Sequence, residues 1–145
     1  MILSSCALLL GLNKIINMNS LIIDAAADEI FLTLISNKNI YTCRHENSKS
    51  NFERLTILIN KFLKQNKILI GEVNKIYVNR GPGSFAGIRS SLSIVKGYYL
   101  TRQIDYYCFS FNDFKGLSDI KYNEVPILCS KFKIKKNLIK PIYLS

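Results

Sequence analysis

The sequence predicts an α/β fold in which one mixed β-sheet carries helices on its faces. Three short β-type runs follow one another with only brief turns between them. The apolar spacing then changes to that of a helix, after which strand and helix alternate. Strands joined by short turns pair antiparallel, whereas a helix between two strands makes a parallel crossover. The predicted order of elements is therefore βββαβαβ.

The three opening strands are an apolar run over 20–27, a β-rich run over 30–36 and an alternating run over 39–45. A helix over 48–66 comes next, and we expect Ser50 and Glu53 to form its capping box. Its apolar residues recur at the spacing of one helical face: Leu55, Leu58, Ile59, Phe62 and Leu63.

The second half continues with a strand over 74–79, a glycine-rich loop, a helix over 88–103 and a strand over 104–110. A helical turn is expected after this strand, and "EVPILCS" and "KPIYLS" are expected to be short strands or extended segments. This order of elements is that of the ribonuclease H-like and actin-like ATPase (ASKHA) folds.

The composition is that of one globular domain, since the 145 residues are 48% hydrophobic and 21% charged. The formal net charge of +10 favours phosphates, acidic lipids or acidic proteins as partners. Because Lys and Ile are abundant throughout, the charge alone selects none of them. We expect an N-terminal extension over 1–17, a main domain over 18–117 and a short basic segment over 118–145.

The apolar start of the chain has no positive residue before it, so no signal peptide is expected, and it is too short and too interrupted for a membrane span. "LSSC" matches a lipoprotein cleavage box only loosely. The four cysteines form no CxxC pair and no cluster with the single histidine, His45. We therefore expect no metal site, and reduced, buried thiols in a cytoplasmic protein. The cysteines are Cys6, Cys43, Cys108 and Cys129.

The loop "NRGPGSFAGIRSS" (79–91) is the most unusual segment. Glycines before a helix suit phosphate binding, but the spacing fits neither the P-loop nor the dinucleotide motif. Ile88 and Arg89 also stand where a P-loop has Lys and Ser or Thr. A tight turn, a helix cap at Ser84 and close packing at Gly87 are the structural interpretation. A contact with an anion or a partner remains the alternative.

No catalytic constellation is evident from the sequence. Asp24 stands alone at a strand end, while Asp28 and Glu29 are expected in a solvated turn. His45 is interpreted as an ordinary surface histidine, and Ser84 has no basic partner within its motif.

The glycine loop resembles the signature GRGPGSFTGxR of the TsaB (YeaZ) family, with Ala86 in place of Thr. "LIIDAAADEIFLTLIS" is similar to the family's opening LxLDTSTxxxSVAL, and "NFERLTILINKFL" to its helix HSxxLLPxIxxLL, with Asn51 in place of His. "KPIYLS" resembles the terminal PxYLR. The residues of the signature loop are Gly81, Pro82, Gly83, Ser84, Phe85 and Gly87.

The resemblance implies a non-catalytic subunit of the cytoplasmic machinery that makes N6-threonylcarbamoyladenosine at position 37 of tRNA. It implies a heterodimer with TsaD, which holds ATP and metal, and joint action with TsaE on tRNA. No cofactor is expected in this chain, and Ala25 and Ala26 replace the hydroxyl residues of the ATPase signature DTS. A homodimer of the free chain is left open. The short basic end implies that the family's second subdomain is greatly reduced.

In this family the partner contact is a helix bundle, which maps to 50–65 and 87–102 in this sequence. The residues expected at that contact are Phe52, Thr56, Ile57, Asn60, Arg89, Ser90, Ser93, Ile94, Gly97 and Tyr98. Two alternatives stay open at this point. One is a residual nucleotide-binding or hydrolytic actin-like domain, and the other is a small RNA-binding protein that uses the basic "KFKIKK" with Phe132 interleaved.

Overall fold

The structure is a computed structural model that describes residues 18–143. Its centre is a five-stranded sheet with the spatial order β3-β2-β1-β4-β5. The first three strands pair antiparallel, and β1, β4 and β5 pair parallel, so the predicted mixed α/β fold is confirmed. The strands are β1 (Asn19–Asp24), β2 (Glu29–Ser36), β3 (Asn39–Glu46), β4 (Lys75–Asn79) and β5 (Asp105–Phe109).

The helices between β3 and β4 are α1 (Lys49–Glu53) and α2 (Leu55–Gln65), whereas the sequence predicts one continuous helix. The chain leaves helical geometry at Arg54, and the residues on either side, Phe52 and Leu55, are both buried. The expected cap at Ser50 is wrong. Ser48 has the extended backbone that an N-cap requires, and its hydroxyl accepts a hydrogen bond from the Asn51 amide at 3.2 Å.

Helix α3 (Phe85–Arg102) makes the crossover between β4 and β5 and starts a few residues earlier than predicted. With α1 and α2 it covers one face of the sheet and encloses the larger core. Ile88, Leu92 and Val95 of α3 are buried there against the aliphatic residues of the strands. Burial of this apolar surface is the main force that holds the helices on the sheet.

The other face of the sheet carries a smaller aromatic core. It is covered by 3₁₀ turns at Phe111–Asp113 and Tyr122–Glu124 and by α4 (Val125–Lys131). The helical turn expected after β5 is therefore present. "EVPILCS", however, is not a strand: Pro126 stands in the first turn of α4, where its missing N–H breaks no hydrogen bond.

The segment after α4 runs past the outer edge of β5 and reaches α3. Asn137 fixes it, because its backbone N–H donates to the Tyr106 carbonyl at 2.7 Å and its side-chain oxygen accepts from the Tyr106 amide at 2.9 Å. Further along, the Ile142 amide donates to the Arg80 carbonyl at 2.8 Å. Of "KPIYLS", residues 140–143 are described and form no strand.

Three cysteines lie in the described part, all as free thiols; Cys108 and Cys129 are buried, but Cys43 is only half-buried. The expected extension over 1–17, with Cys6 and "LSSC", lies outside the described residues. Within residues 18–143, no helix is both long and apolar enough to cross a bilayer.

Candidate partner-binding surface

The glycine loop forms a compact turn whose amides bond within the protein. The Gly81 N–H donates to the side-chain oxygen of Asn79 at 2.9 Å, and Gly81 has a φ of 104°, a region that favours glycine. The Ser84 hydroxyl accepts from the Gly87 amide at 3.2 Å and caps α3 as predicted. The Ser84 amide donates to the Ala26 carbonyl at 3.0 Å. The Gly81, Ser84 and Gly87 amides, which would face a phosphate in a phosphate-binding loop, are therefore all bonded within the protein.

Two glycines of this loop allow it to pack directly on the end of β1. A Cβ atom at Gly83 would overlap the carbonyl oxygen of Ala26, and one at Gly87 would overlap that of Ala25. Both glycines therefore serve close backbone packing between α3 and the sheet, the role that the sequence suggests for Gly87. This packing fixes where α3 begins relative to β1.

Asp24, at the end of β1, is not alone as the sequence suggests. Its side chain is almost completely buried, and one carboxylate oxygen accepts from the amides of Ala26 and Ala27 at 3.0 and 3.2 Å. The other oxygen accepts from the hydroxyl of Tyr122 at 2.7 Å. The carboxylate is engaged on both sides, so it acts as a structural clamp and is not presented to a substrate.

Tyr122 is a residue that sequence reasoning missed. Burial, followed by the nearby Asp24 carboxylate, raises the pKa of its hydroxyl, which stays protonated and donates. Its ring also packs against Phe31 and Phe111. The only sequence signal is an aromatic residue in a polar stretch, which is too weak to identify a contact with a residue 98 positions earlier.

A groove of about 540 Å³ lies between α1 and the start of α3. Four of the residues expected at a partner contact line it, namely Phe52, Arg89, Ser90 and Ser93. The Ser90 hydroxyl donates to the Phe52 carbonyl at 2.8 Å and ties the two helices together. This bond holds the two walls of the groove together, and its rim carries the exposed aromatic ring of Phe85.

A second groove, of about 480 Å³, shares Arg89 and Ser93 with the first. Its far wall is formed by the terminal segment, with Ile139, Pro141 and Tyr143. The rings of Phe85 and Tyr143 lie 4.7 Å apart, and the Arg89 guanidinium lies 5.2 Å from the Phe85 ring. The two grooves form one continuous surface, called here the α3 surface, with an apolar cluster at its centre.

The other expected contact residues do not line these grooves. Thr56, Ile57 and Asn60 are exposed along α2, with Ile57 exposed by 57%. Ile94 and Tyr98 are half-buried and pack against the core, so they contribute to stability. Gly97 is half-buried with open space beside it.

The described residues offer little for catalysis. Among residues 18–143, no three or more His, Cys, Asp or Glu side chains are grouped so as to hold a metal ion. His45 is half-buried on β3 and lies 3.7 Å from the Cys43 sulfur, and burial raises the pKa of that thiol to about 11. A protonated thiol is a poor nucleophile near neutral pH.

Comparison with known proteins agrees with this architecture. Residues 45–113 match the family described as "TsaD: tRNA N6-adenosine threonylcarbamoyltransferase". Two curated relatives are tRNA threonylcarbamoyladenosine biosynthesis proteins TsaB of Buchnera aphidicola. The protein from subspecies Baizongia pistaciae is 34% identical over 39% of this chain and 29% of its own length. The protein from subspecies Schizaphis graminum is 30% identical over 58% of this chain and 40% of its own length.

Over the matched residues, the chain is similar to proteins of the TsaB family. The fold is shared with a solved structure, because YeaZ from Pseudomonas aeruginosa superposes with a TM-score of 0.60 at 20% identity, over 64% of this chain and 44% of that chain. A second Pseudomonas aeruginosa structure, titled as similar to peptidase YeaZ, gives the same TM-score over 43% of its length. The ASKHA-type fold is thereby confirmed. The matched part spans less than half of each curated relative.

Proposed function

We propose that this protein is a non-catalytic subunit in the biosynthesis of N6-threonylcarbamoyladenosine in tRNA and that it binds TsaD through the α3 surface. ATP and metal belong to the TsaD partner in this proposal, and TsaE and tRNA join the assembled complex. The names of the curated relatives support the pathway. The partner is the one that the resemblance to the TsaB family implies, and the choice of surface rests on the geometry described above.

The observation that carries the proposal is the cluster of Phe85, Arg89 and Tyr143 at the junction of the two grooves. Phe85 is exposed by 54%, although it is an aromatic residue at the start of a long helix. An exposed aromatic ring beside an arginine, at the meeting point of two grooves, is the composition typical of interface hot spots. The helix beneath it is held by the Gly87 packing and by the bond from Ser90 to Phe52, so binding costs little ordering entropy.

The alternative of a nucleotide-binding or hydrolytic domain finds less support. The Ala26, Ala27, Gly81 and Ser84 amides all donate to acceptors within the chain. Asp24, which a hydrolytic mechanism would need to be free, is held by Tyr122. A phosphate at this position would have to break several hydrogen bonds, each of which contributes on the order of 1 kcal/mol.

The test is size-exclusion chromatography with light scattering on the full chain mixed with the TsaD of the same organism. We expect a stable complex of one chain of each protein. Arg89→Glu should weaken binding to TsaD at least about tenfold, because the substitution reverses the charge of an exposed residue in the proposed hot spot. Lys38→Glu is the matched control, since Lys38 is exposed in the turn between β2 and β3, and it should leave the complex unchanged.

Absence of any complex with the unmodified chain would overturn the proposed function. A complex that tolerates Arg89→Glu as well as Lys38→Glu would retain the partner and remove the α3 surface as its binding site. Far-UV circular dichroism of both variants establishes that each is folded.

A further inference from the structure

A second feature of the structure is a cationic pocket beside the edge strand β5, lined in part by Cys108 of that strand. It has a volume of about 160 Å³ and is lined by Arg80, Lys133, Lys135 and Lys140, with Asp113 as its one carboxylate. Arg80 follows β4, whereas the three lysines come from the terminal segment that runs past β5. The fold therefore brings Arg80 next to lysines that follow it by up to 60 positions in the sequence.

Arg80 and Asp113 neutralise each other in this pocket. The Arg80 guanidinium donates to the two Asp113 oxygens at 2.6 and 3.4 Å, and the Arg80 side chain is mostly buried. Arg80 also donates to the Lys140 carbonyl at 3.1 Å. It is thus a positioning residue that fixes the terminal segment, while the charge available to a ligand comes from the lysines.

Lys133, Lys135 and Lys140 are exposed, and within residues 18–143 none of them forms an ion pair. The other carboxylate near this edge, Asp105, is already engaged, because it lies 3.7 Å from the Lys136 ammonium and accepts from the Asn137 side-chain amide at 2.8 Å. Three positive charges therefore stand together without a counterion from the described part of the chain.

The backbone that carries these lysines is held in place. Asn137 is bonded to both Asp105 and Tyr106, the Ile134 amide donates to the Cys129 carbonyl at 2.9 Å, and the Ile142 amide donates to the Arg80 carbonyl. Ile134 and Phe132 pack against the aromatic core. The lysines thus project from an ordered frame, so little backbone entropy is lost when an anion binds.

We propose that this cationic pocket binds the phosphate backbone of RNA. Clustered ammonium groups recognise phosphate, and exposed Lys131 adds a further positive charge to the same segment, which suits a linear polyanion better than a single phosphate. Phe132 packs against the core, so it is engaged in packing rather than in stacking on bases. Binding therefore depends on salt and shows little preference for base sequence. The inference does not rest on the proposed function, because it concerns the isolated chain.

The experiment is fluorescence anisotropy with a labelled single-stranded RNA and with an unmodified tRNA, over a series of KCl concentrations. The test variant is Lys133→Gln/Lys135→Gln/Lys140→Gln. Its matched control, Lys38→Gln/Lys61→Gln/Lys64→Gln, removes the same charge from exposed lysines in the β2–β3 turn and on α2. We expect the test variant to bind RNA at least about tenfold more weakly. The magnitude of the negative slope of log K, the association constant, against log salt concentration should decrease by about 2.

The control variant should bind within about threefold of the unmodified chain, because long-range charge is screened at the salt concentrations used. Lys133→Arg/Lys135→Arg/Lys140→Arg keeps the charge and should restore binding, which separates loss of charge from a change in fold. Equal weakening by the test and control variants would mean attraction by net charge alone and would overturn the inference.

Two further arms identify the ligand. Inorganic phosphate is titrated against KCl of equal ionic strength, and polyglutamate replaces RNA in a parallel binding curve. Phosphate binding without RNA binding would make the pocket a site for a free anion. Polyglutamate binding as tight as RNA, with the same sensitivity to the test variant, would make it a site for acidic protein. Either result would overturn the assignment to RNA, and neither bears on complex formation with TsaD.

Discussion

The hydroxyl of Tyr122 donates a 2.7 Å hydrogen bond to the carboxylate of Asp24, and this bond joins the second face of the sheet to the end of β1. In a sequence of this fold class, an aspartate at the end of the first strand suggests a phosphate site. Here a tyrosine from the segment before α4 closes that position. The residues around Asp24 therefore stabilise the fold and position α3.

Tyr122→Phe removes the donor and leaves one oxygen of a buried carboxylate without its partner. We expect the free energy of unfolding to fall by about 1–3 kcal/mol, the usual cost of an unsatisfied buried polar group. Urea denaturation measures this loss. Tyr41→Phe, on the exposed edge strand β3, is the control and should change stability by less than about 0.5 kcal/mol. Equal stability of the two variants would show that the bond contributes nothing.

Gly87→Ala places a methyl group against the Ala25 carbonyl oxygen. Since backbone atoms surround this position, we expect a loss of about 1–3 kcal/mol from overpacking. Gly97→Ala in the same helix meets open space, and it should raise stability by about 0.5–1 kcal/mol through helix propensity. Thermal unfolding followed by circular dichroism compares the pair, and effects of the same sign would contradict the close packing of α3 on β1.

Burial, together with the nearby Asp113 carboxylate, raises the pKa of the Cys129 thiol from 9.0 to about 12. Between these values the native state keeps a proton that the unfolded chain loses. The contribution of Cys129 is therefore fully present below pH 9 and decreases as the pH rises. The sign follows from the native state binding more protons than the unfolded state.

Cys129→Ala should make the alkaline loss of stability shallower by about 1.4 kcal/mol per pH unit between roughly pH 9.5 and 11. Urea denaturation under reducing conditions across this range provides the measurement. Between pH 7 and about 8 the two proteins should differ by a constant amount, because the thiol is protonated in both states there. Parallel curves above pH 9.5 would contradict the raised pKa.

Phe85→Glu introduces a charge at the centre of the α3 surface. We expect at least about tenfold weaker binding to TsaD with little change in stability, because the ring is more than half exposed. Ile127→Glu is the control: Ile127 is 73% exposed on α4, against the opposite face of the sheet. Isothermal titration calorimetry measures both affinities. A loss of similar size in the two variants would indicate a general effect of negative charge on binding.

The pattern of apolar residues determined most of the fold. Strands β1 to β5 and the order βββαβαβ followed from alternation, turn residues and a change of period, which are local signals. The cap at Ser84 and the close packing of Gly87 on the Ala25 carbonyl were also predictable. Serine is a preferred N-cap residue, and a glycine in the first turn of a helix allows close packing on a neighbouring strand. The single helix over 48–66 and the strand or extended segment in "EVPILCS" were wrong. The helix breaks at Arg54 beside buried Phe52, and α4 buries Val125. Both outcomes depend on tertiary burial, which the apolar pattern of a few neighbouring residues does not reveal.

What the sequence by itself determined about this protein is its fold class, its resemblance to the TsaB family and the loop that starts α3. Only the tertiary structure decided what surrounds those elements: that Tyr122 closes over Asp24, that Tyr143 lies beside Phe85, and that Arg80 holds the lysine-bearing segment against β5. The physical reason is separation along the chain. Local signals fix φ and ψ over a few residues, whereas these contacts form only when burial of the two cores brings distant segments together.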